Sequence, residues 1–95
     1  NQTFRDLLVV VLDDGSDASG VRAALEECWH DSRVVVFRSG ENVGPYRLKN
    51  AVLPLVQSRW IAFQDADDVS HPERFETQLR LMRRHRIAMS GCSFR

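Results

Sequence analysis

Leu7-Leu8-Val9-Val10-Val11-Leu12 runs without a polar residue and stops at Asp13-Asp14-Gly15-Ser16-Asp17. That junction decides the fold. An apolar run rich in β-branched residues, with no polar alternation, is how a strand buried on both faces reads. The Asp, Gly and Ser cluster that ends it is a dense turn signal. Beyond it the spacing predicts a helix from about Ser19 to Trp29, with Val21, Leu25 and Cys28 on one face. Val34 to Phe37 is a second apolar, β-branched run. Ser39 to Pro45 is a loop, and Pro45 suits the first turn of a helix because its missing N–H is not needed there. Leu48, Ala51, Val52 and Leu55 share a face of that helix, and Pro54 predicts an early end or a kink.

The same grammar repeats once more. Trp60 to Phe63 reads as a third strand, with Asp65-Ala66-Asp67-Asp68 at its carboxyl end. Ser70 and Glu73 have capping-box spacing, opening a helix from about Pro72 to His85 with Phe75, Leu79 and Met82 toward the core. Ile87 to about Cys92 reads as a last strand. Strands alternating with helices give an α/β fold with a mainly parallel sheet, flanking helices and right-handed crossovers. Ligands of such sheets bind outside the carboxyl ends of the strands. Asp13 and Asp14 follow one strand, and Asp65, Asp67 and Asp68 follow another. The expected sheet therefore places five carboxylates along one edge.

Three carboxylates within four residues repel one another and raise each other's pKa values unless solvated, helix-capped or bound to a cation. Hard divalent cations take oxygen ligands, and Mg²⁺ is held by one or two carboxylates plus substrate phosphates. Mn²⁺ accepts similar ligands. The competing reading is a solvated Asp-rich turn that merely favours the following helix dipole. Two such clusters at corresponding strand ends weigh toward the ligand. Asp65, Asp67 and Glu76 also occupy positions 1, 3 and 12 of an EF-hand loop. Val69 and Ser70 stand where a ligand and a Gly are needed, and Pro72 falls inside, so that motif is set aside.

Composition narrows the class. At 95 residues, residues 1–95 form one domain at most. Thirteen basic and 13 acidic residues give zero formal charge, so no bulk attraction to nucleic acid or anionic membrane is expected. The longest apolar run, Leu7 to Leu12, is far short of a membrane span, and no signal-peptide pattern is present. Two cysteines make no disulfide framework; Cys28 and Cys92 read as reduced, core or near-core thiols. Trp29 and Trp60 read as packing residues, and His30, His71 and His85 as surface or capping residues. The basic end of the last helix, Arg80, Arg83, Arg84 and Arg86, suits the negative helix terminus. A sharper reading of those arginines is contact with a lipid-linked acceptor or a membrane surface.

In order and spacing, Gln2 to Asp17, Asn42-Val43-Gly44 with Lys49-Asn50, and Trp60 to Asp68 with Pro72-Glu73-Arg74 together resemble the family 2 glycosyltransferases. The resemblance covers nearly the whole chain. It implies a Rossmann-like nucleotide-diphosphosugar transferase (GT-A) fold, here partial: the donor-binding half, with the first strand and the acceptor half absent. It implies transfer of a sugar from a nucleoside-diphosphate sugar to the hydroxyl of a saccharide or lipid-linked acceptor, with inversion and a Mn²⁺ or Mg²⁺ cofactor, in polysaccharide biosynthesis. Carried over, Asp14 contacts the nucleotide base with Asp13 beside it. Asp65 lies near the ribose or sugar and the metal, Asp67 is the main metal ligand, and Asp68 lies by the sugar or behind the groups that touch the ligands. Lys49 stands where the family often has Arg, near base and phosphates, and so keeps the charge without the fork. No residue of the chain matches the family's general base. With the first strand absent, either the strands starting at Leu7 and Trp60 pair differently or their exposed edges are covered by another chain, and the second alternative predicts self-association. The implied location is cytoplasmic, including the cytoplasmic membrane face. The alternatives are a non-catalytic nucleotide-binding module and a flavodoxin-like signalling domain; the latter wants a strand ending in Lys, and the only Lys is Lys49.

Overall fold

The computed structural model describes residues 1–26 and 28–93. They fall into two compact units, Leu7–Arg59 and a second made of Asn1–Asp6 with the chain from Trp60 onward.

In the Leu7–Arg59 unit, β1 (Val9–Asp13) leads through α1 (Ala18–Glu26) to β2 (Val34–Arg38). The strands pair in parallel, Val9 beside Val34 through Asp13 beside Arg38. Parallel strands cannot be joined by a tight hairpin, and the helical crossover supplies the length needed. The ladder is extended at both ends: the Val9 N–H donates to the Arg33 carbonyl (2.7 Å) and the Ser39 N–H to that of Asp13 (2.8 Å). Where the chain enters β2, the Arg33 side chain forms an ion pair with Asp31 (2.7 Å). The Arg33 side chain first, and its backbone N–H second, pull the Asp31 carboxyl from 3.8 to about 2.

Next, α2 (Pro45–Val52) starts on its proline and packs against β1. The predicted interruption at Pro54 is present. The α-helix ends at Val52 and tightens into a single 3₁₀ turn, Leu53–Leu55. A proline N has no proton to give the fourth preceding carbonyl, and its ring crowds that carbonyl. Leu48 and Val52 are the buried apolar residues described. Ala51 and Leu55, expected beside them, are exposed. Val21 and Leu25 of α1 are half-buried, as their spacing predicts.

In the second unit, α3 (Arg74–His85) keeps Phe75, Leu79 and Met82 half-buried while Glu76, Arg80 and Arg83 face water. Its end is a left-handed cap at Arg86 (φ 52°), with the Arg86 and Ile87 N–H groups both returning to the Met82 carbonyl. The start of the chain lies along the start of this helix. The Gln2 side-chain oxygen accepts from the Phe75 N–H (3.2 Å), and its amide nitrogen donates to the His71 carbonyl (2.9 Å). Thr3 donates its hydroxyl to Glu76 (2.6 Å) and its N–H to the Pro72 carbonyl (2.8 Å).

Several expectations are corrected. Among the described residues the sheet has two strands, and neither Trp60 to Phe63 nor Ile87 to Cys92 forms one. A strand exists by its ladder, and the Phe63 carbonyl is instead taken by the Arg74 side chain. Strand pairing therefore does not bring the two acidic clusters to one sheet edge. With one neighbour, β1 is half-buried rather than buried on both faces. The capping box does not form: α3 begins at Arg74, Glu73 makes no side-chain cap, and an orphan N–H of the first turn is met by Gln2. Cys28 and Cys92 are exposed free thiols, and Trp29 is exposed as well. Cys28 falls in the turn after α1, so the periodicity that would bury it no longer applies. Among the described residues, no helix is long and apolar enough to cross a membrane.

Candidate functional site

The first acidic cluster sits at the carboxyl end of β1. Asp13 is 5% exposed. Its carboxylate accepts the Ser16 N–H (3.0 Å) and meets Arg38 of the neighbouring strand (3.3 Å). Arg38 in turn donates to the Ser16 carbonyl (2.9 Å), closing the turn. The Ser16 N–H, then its hydroxyl, and then Arg38 hold the Asp13 carboxyl below the usual carboxylate range, against the opposing effect of burial. Asp14, half-buried, reaches across to the loop after β2. One of its oxygens accepts the Val43 N–H (2.8 Å) and the other the Gly44 N–H (2.9 Å). These donors stand immediately before α2, where an anion is favoured by exposed N–H groups and the helix dipole. The protein fills that position with its own carboxylate.

Gly15 makes the approach of the two loops possible. Its φ is +73°, and a Cβ there would lie 3.0 Å from the Glu41 carbonyl carbon and the Asn42 nitrogen, both backbone. Lys49 is half-buried on α2, its ammonium 6.0 Å from the Tyr46 ring centroid. That is the outer limit of a cation–π contact, ~6 Å.

The second cluster, Asp65, Asp67 and Asp68, lies in the other unit and is exposed. Its backbone is tied down. The Asp68 N–H donates to the Asp65 carbonyl (3.2 Å), and the Gln64 side-chain amide donates to the carbonyls of Asp65 (3.2 Å) and Asp68 (2.8 Å). The Gln64 amide oxygen accepts from Arg74 (2.6 Å) and from the Ser70 hydroxyl. The Asp65 and Asp68 carbonyls are thus taken by donors, while the three Asp residues stay exposed.

Among the described residues, no three His, Cys, Asp or Glu side chains gather into a ready-made metal site. Oxygen donors on a fixed turn nevertheless suit a hard cation that takes one or two carboxylates and completes its shell with phosphate and water. Gln64 and Arg74 both fall in the segments that carry the resemblance, yet the sequence pattern assigns neither of them a role. One signal was present: a cation at the first residue of a helix opposes the helix dipole and so needs another reason.

The whole chain, residues 1–95, matches the sequence profile of the family described as glycosyl transferase family 2. A Haemophilus influenzae protein named an uncharacterized glycosyltransferase is 29% identical over 90 residues, which are 95% of this chain and 36% of that protein. A bifunctional glycosyltransferase of Dictyostelium discoideum is 32% identical over 96% of this chain and 12% of its own length. An Escherichia coli UDP-Glc:alpha-D-GlcNAc-diphosphoundecaprenol beta-1,3-glucosyltransferase is 23% identical over 99% of this chain and 37% of its own length. The chain thus spans little more than a third of these relatives at most. No solved structure matches it.

Proposed function

Given that this chain belongs to glycosyl transferase family 2, we propose that it is the donor-binding half of an inverting, metal-dependent glycosyltransferase. The observation that carries this reading is the Asp65–Asp68 turn, whose exposed carboxylates stand on a backbone fixed by Gln64. Asp67, with Asp65, would hold a Mn²⁺ or Mg²⁺ ion against the donor diphosphate. When bound, the cation supplies Lewis-acid neutralisation of the departing diphosphate. Asp65 and Asp68 orient the ribose and sugar, and Lys49 supplies positive charge near the base and phosphates.

Asp14 takes the nucleotide base. Each carboxylate oxygen has two lone pairs, so the bonds to Val43 and Gly44 leave capacity for a base N–H. Asp13 acts from behind, keeping the turn and Arg38 in place. In the reaction, the acceptor oxygen bonds to the anomeric carbon as the bond to the diphosphate oxygen breaks. The hydroxyl proton passes to a carboxylate that this reading assigns outside the 95 residues. The isolated chain is therefore expected to bind donor without turnover.

The name of the E. coli relative specifies a UDP-glucose donor and a polyprenyl-diphosphate acceptor. It supports a uridine donor and a lipid-linked acceptor here, met at the cytoplasmic membrane face. Polysaccharide biosynthesis is the matching role. Self-association through the edges of the two-stranded sheet belongs to the same reading, and a clean monomer in concentrated sedimentation runs would remove it.

The test is an amide-shift titration of the chain with UDP and GDP, using Mg²⁺ for shifts and Mn²⁺ for broadening. Metal-dependent changes centred on Asp14 and on Asp65 to Asp68, lost in Asp67→Asn, are expected. A well-folded chain whose spectrum ignores both nucleotides with either metal would overturn the reading.

A further inference from the structure

Arg74 is the first residue of α3, where the helix dipole opposes a cation, and it is only half-exposed. Its guanidinium is nevertheless engaged on every nitrogen. One terminal nitrogen donates to the Gln64 amide oxygen (2.6 Å) and the Ser70 hydroxyl (2.8 Å). The other donates to the Phe63 carbonyl (3.1 Å), and Nε to Gln78 (3.2 Å). Gln64 passes this anchoring on, because its own amide N–H groups hold the Asp65 and Asp68 carbonyls. The Nε bond stays within α3, but the terminal nitrogens reach the residues that flank and hold the acidic turn, and a residue that breaks a local helix rule in order to do so points to a role at that turn.

We infer that Arg74 is a positioning residue: acting through the Gln64 amide, with Ser70 as the third member, it fixes the turn that presents Asp65 and Asp67 to metal and diphosphate. The role rests on the donor-site reading above and adds residues that touch neither ligand. It needs the guanidinium and not merely its charge. A lysine has no planar fork to reach Gln64, Ser70 and Phe63 together. It equally needs the amide. A glutamate at position 64 would still accept from Arg74 but has no N–H for the two carbonyls.

The experiment measures Mn²⁺ affinity by paramagnetic resonance, with UDP present, in the full-length protein and its variants Arg74→Lys, Gln64→Glu and the double change. Thermal melts run alongside. Outer-shell partners of a metal site alter affinity by about 10–100-fold. Each single variant is expected to lose that much while keeping its melting temperature, and the double variant no more than either alone. Rising KM for the nucleotide sugar with metal held limiting is the matching kinetic signature. Wild-type Mn²⁺ affinity in both folded single variants, or strictly additive losses, overturns the positioning role alone. A wild-type protein that binds neither Mn²⁺ nor UDP sinks the donor-site reading, and this role with it. Ser70→Ala, which removes one hydroxyl and keeps the Arg74–Gln64 contact, is the milder variant that decides the matter if either of the others does not fold. It is expected to lose affinity in the same direction by a smaller factor, and unchanged affinity there overturns the role.

Discussion

Asp14 uses both carboxylate oxygens on the backbone N–H groups of Val43 and Gly44, whereas Asp65, Asp67 and Asp68 are exposed, and their turn is held through the Asp65 and Asp68 carbonyls instead. The two acidic turns look alike in sequence and are built in opposite senses. In one, backbone donors come to the carboxylates and knit two loops together. In the other, side-chain donors come to the backbone and leave the carboxylates to whatever approaches from solvent. An acidic turn of the first kind contributes to stability; one of the second kind contributes little to stability and is available to a cation.

That contrast can be broken most sharply at Asp67. Asp67→Asn is expected to lower metal-dependent UDP affinity by more than the ~10–100-fold typical of outer-shell partners. The same variant should leave stability within ~0.5 kcal/mol of wild type, as exposed substitutions do. Calorimetric titration beside a thermal melt reads both. Asp14 should behave the other way. Hydrogen bonds to charged groups are worth ~1.5–3 kcal/mol each, and Asp14, only half-buried, accepts two, so Asp14→Ala should cost about 3 kcal/mol, the low end of their sum, in urea unfolding, and Asn, which keeps one acceptor oxygen, about half. Full stability with lost nucleotide binding in Asp14→Ala would reverse the assignment of the two turns.

The close approach of the loops gives the next test. Gly15→Ala adds a Cβ that meets two backbone atoms at 3.0 Å, in a conformation L residues avoid. Such strain costs ~1–3 kcal/mol, seen as a lower urea midpoint with unchanged slope. Acid should also act first on the Leu7–Arg59 unit. The carboxyls of Asp13 and Asp31 are depressed, the latter to about 2. The stability they supply is fully present above their unfolded values near ~3.9 and is lost as pH falls through the folded ones. Replacing Asp31 with Asn should flatten the stability–pH curve between about 4 and 2. The smallest effect is a gain. Arg86 has φ 52°, where Asn and Gly are at ease. Arg86→Gly removes left-handed strain of ~1–2 kcal/mol and adds glycine's entropy cost of ~0.5–1 kcal/mol. A net stabilisation of about 0.5–1 kcal/mol should appear in the melt.

The sequence by itself determined β1, β2, the three helices, the break at Pro54 and both acidic turns. Each depends on interactions within a few residues: β-branched runs, three-to-four-residue apolar spacing, a missing proline N–H, and turn-forming Asp and Gly. It also carried the resemblance that the profile match bears out over residues 1–95. Only the tertiary structure decided the rest. Trp60 to Phe63 is as apolar as β2 yet makes no strand, because pairing is a property of two segments and not of one. The helix α3 is capped by Gln2, some seventy residues away in the chain, and not by Ser70 four residues before it, which joins Gln64 and Arg74 instead. Which of two similar Asp turns receives backbone N–H groups on its carboxylate depends on where the Val43–Gly44 loop lies. No local pattern records that, since a carboxylate's partners are chosen by distance in space.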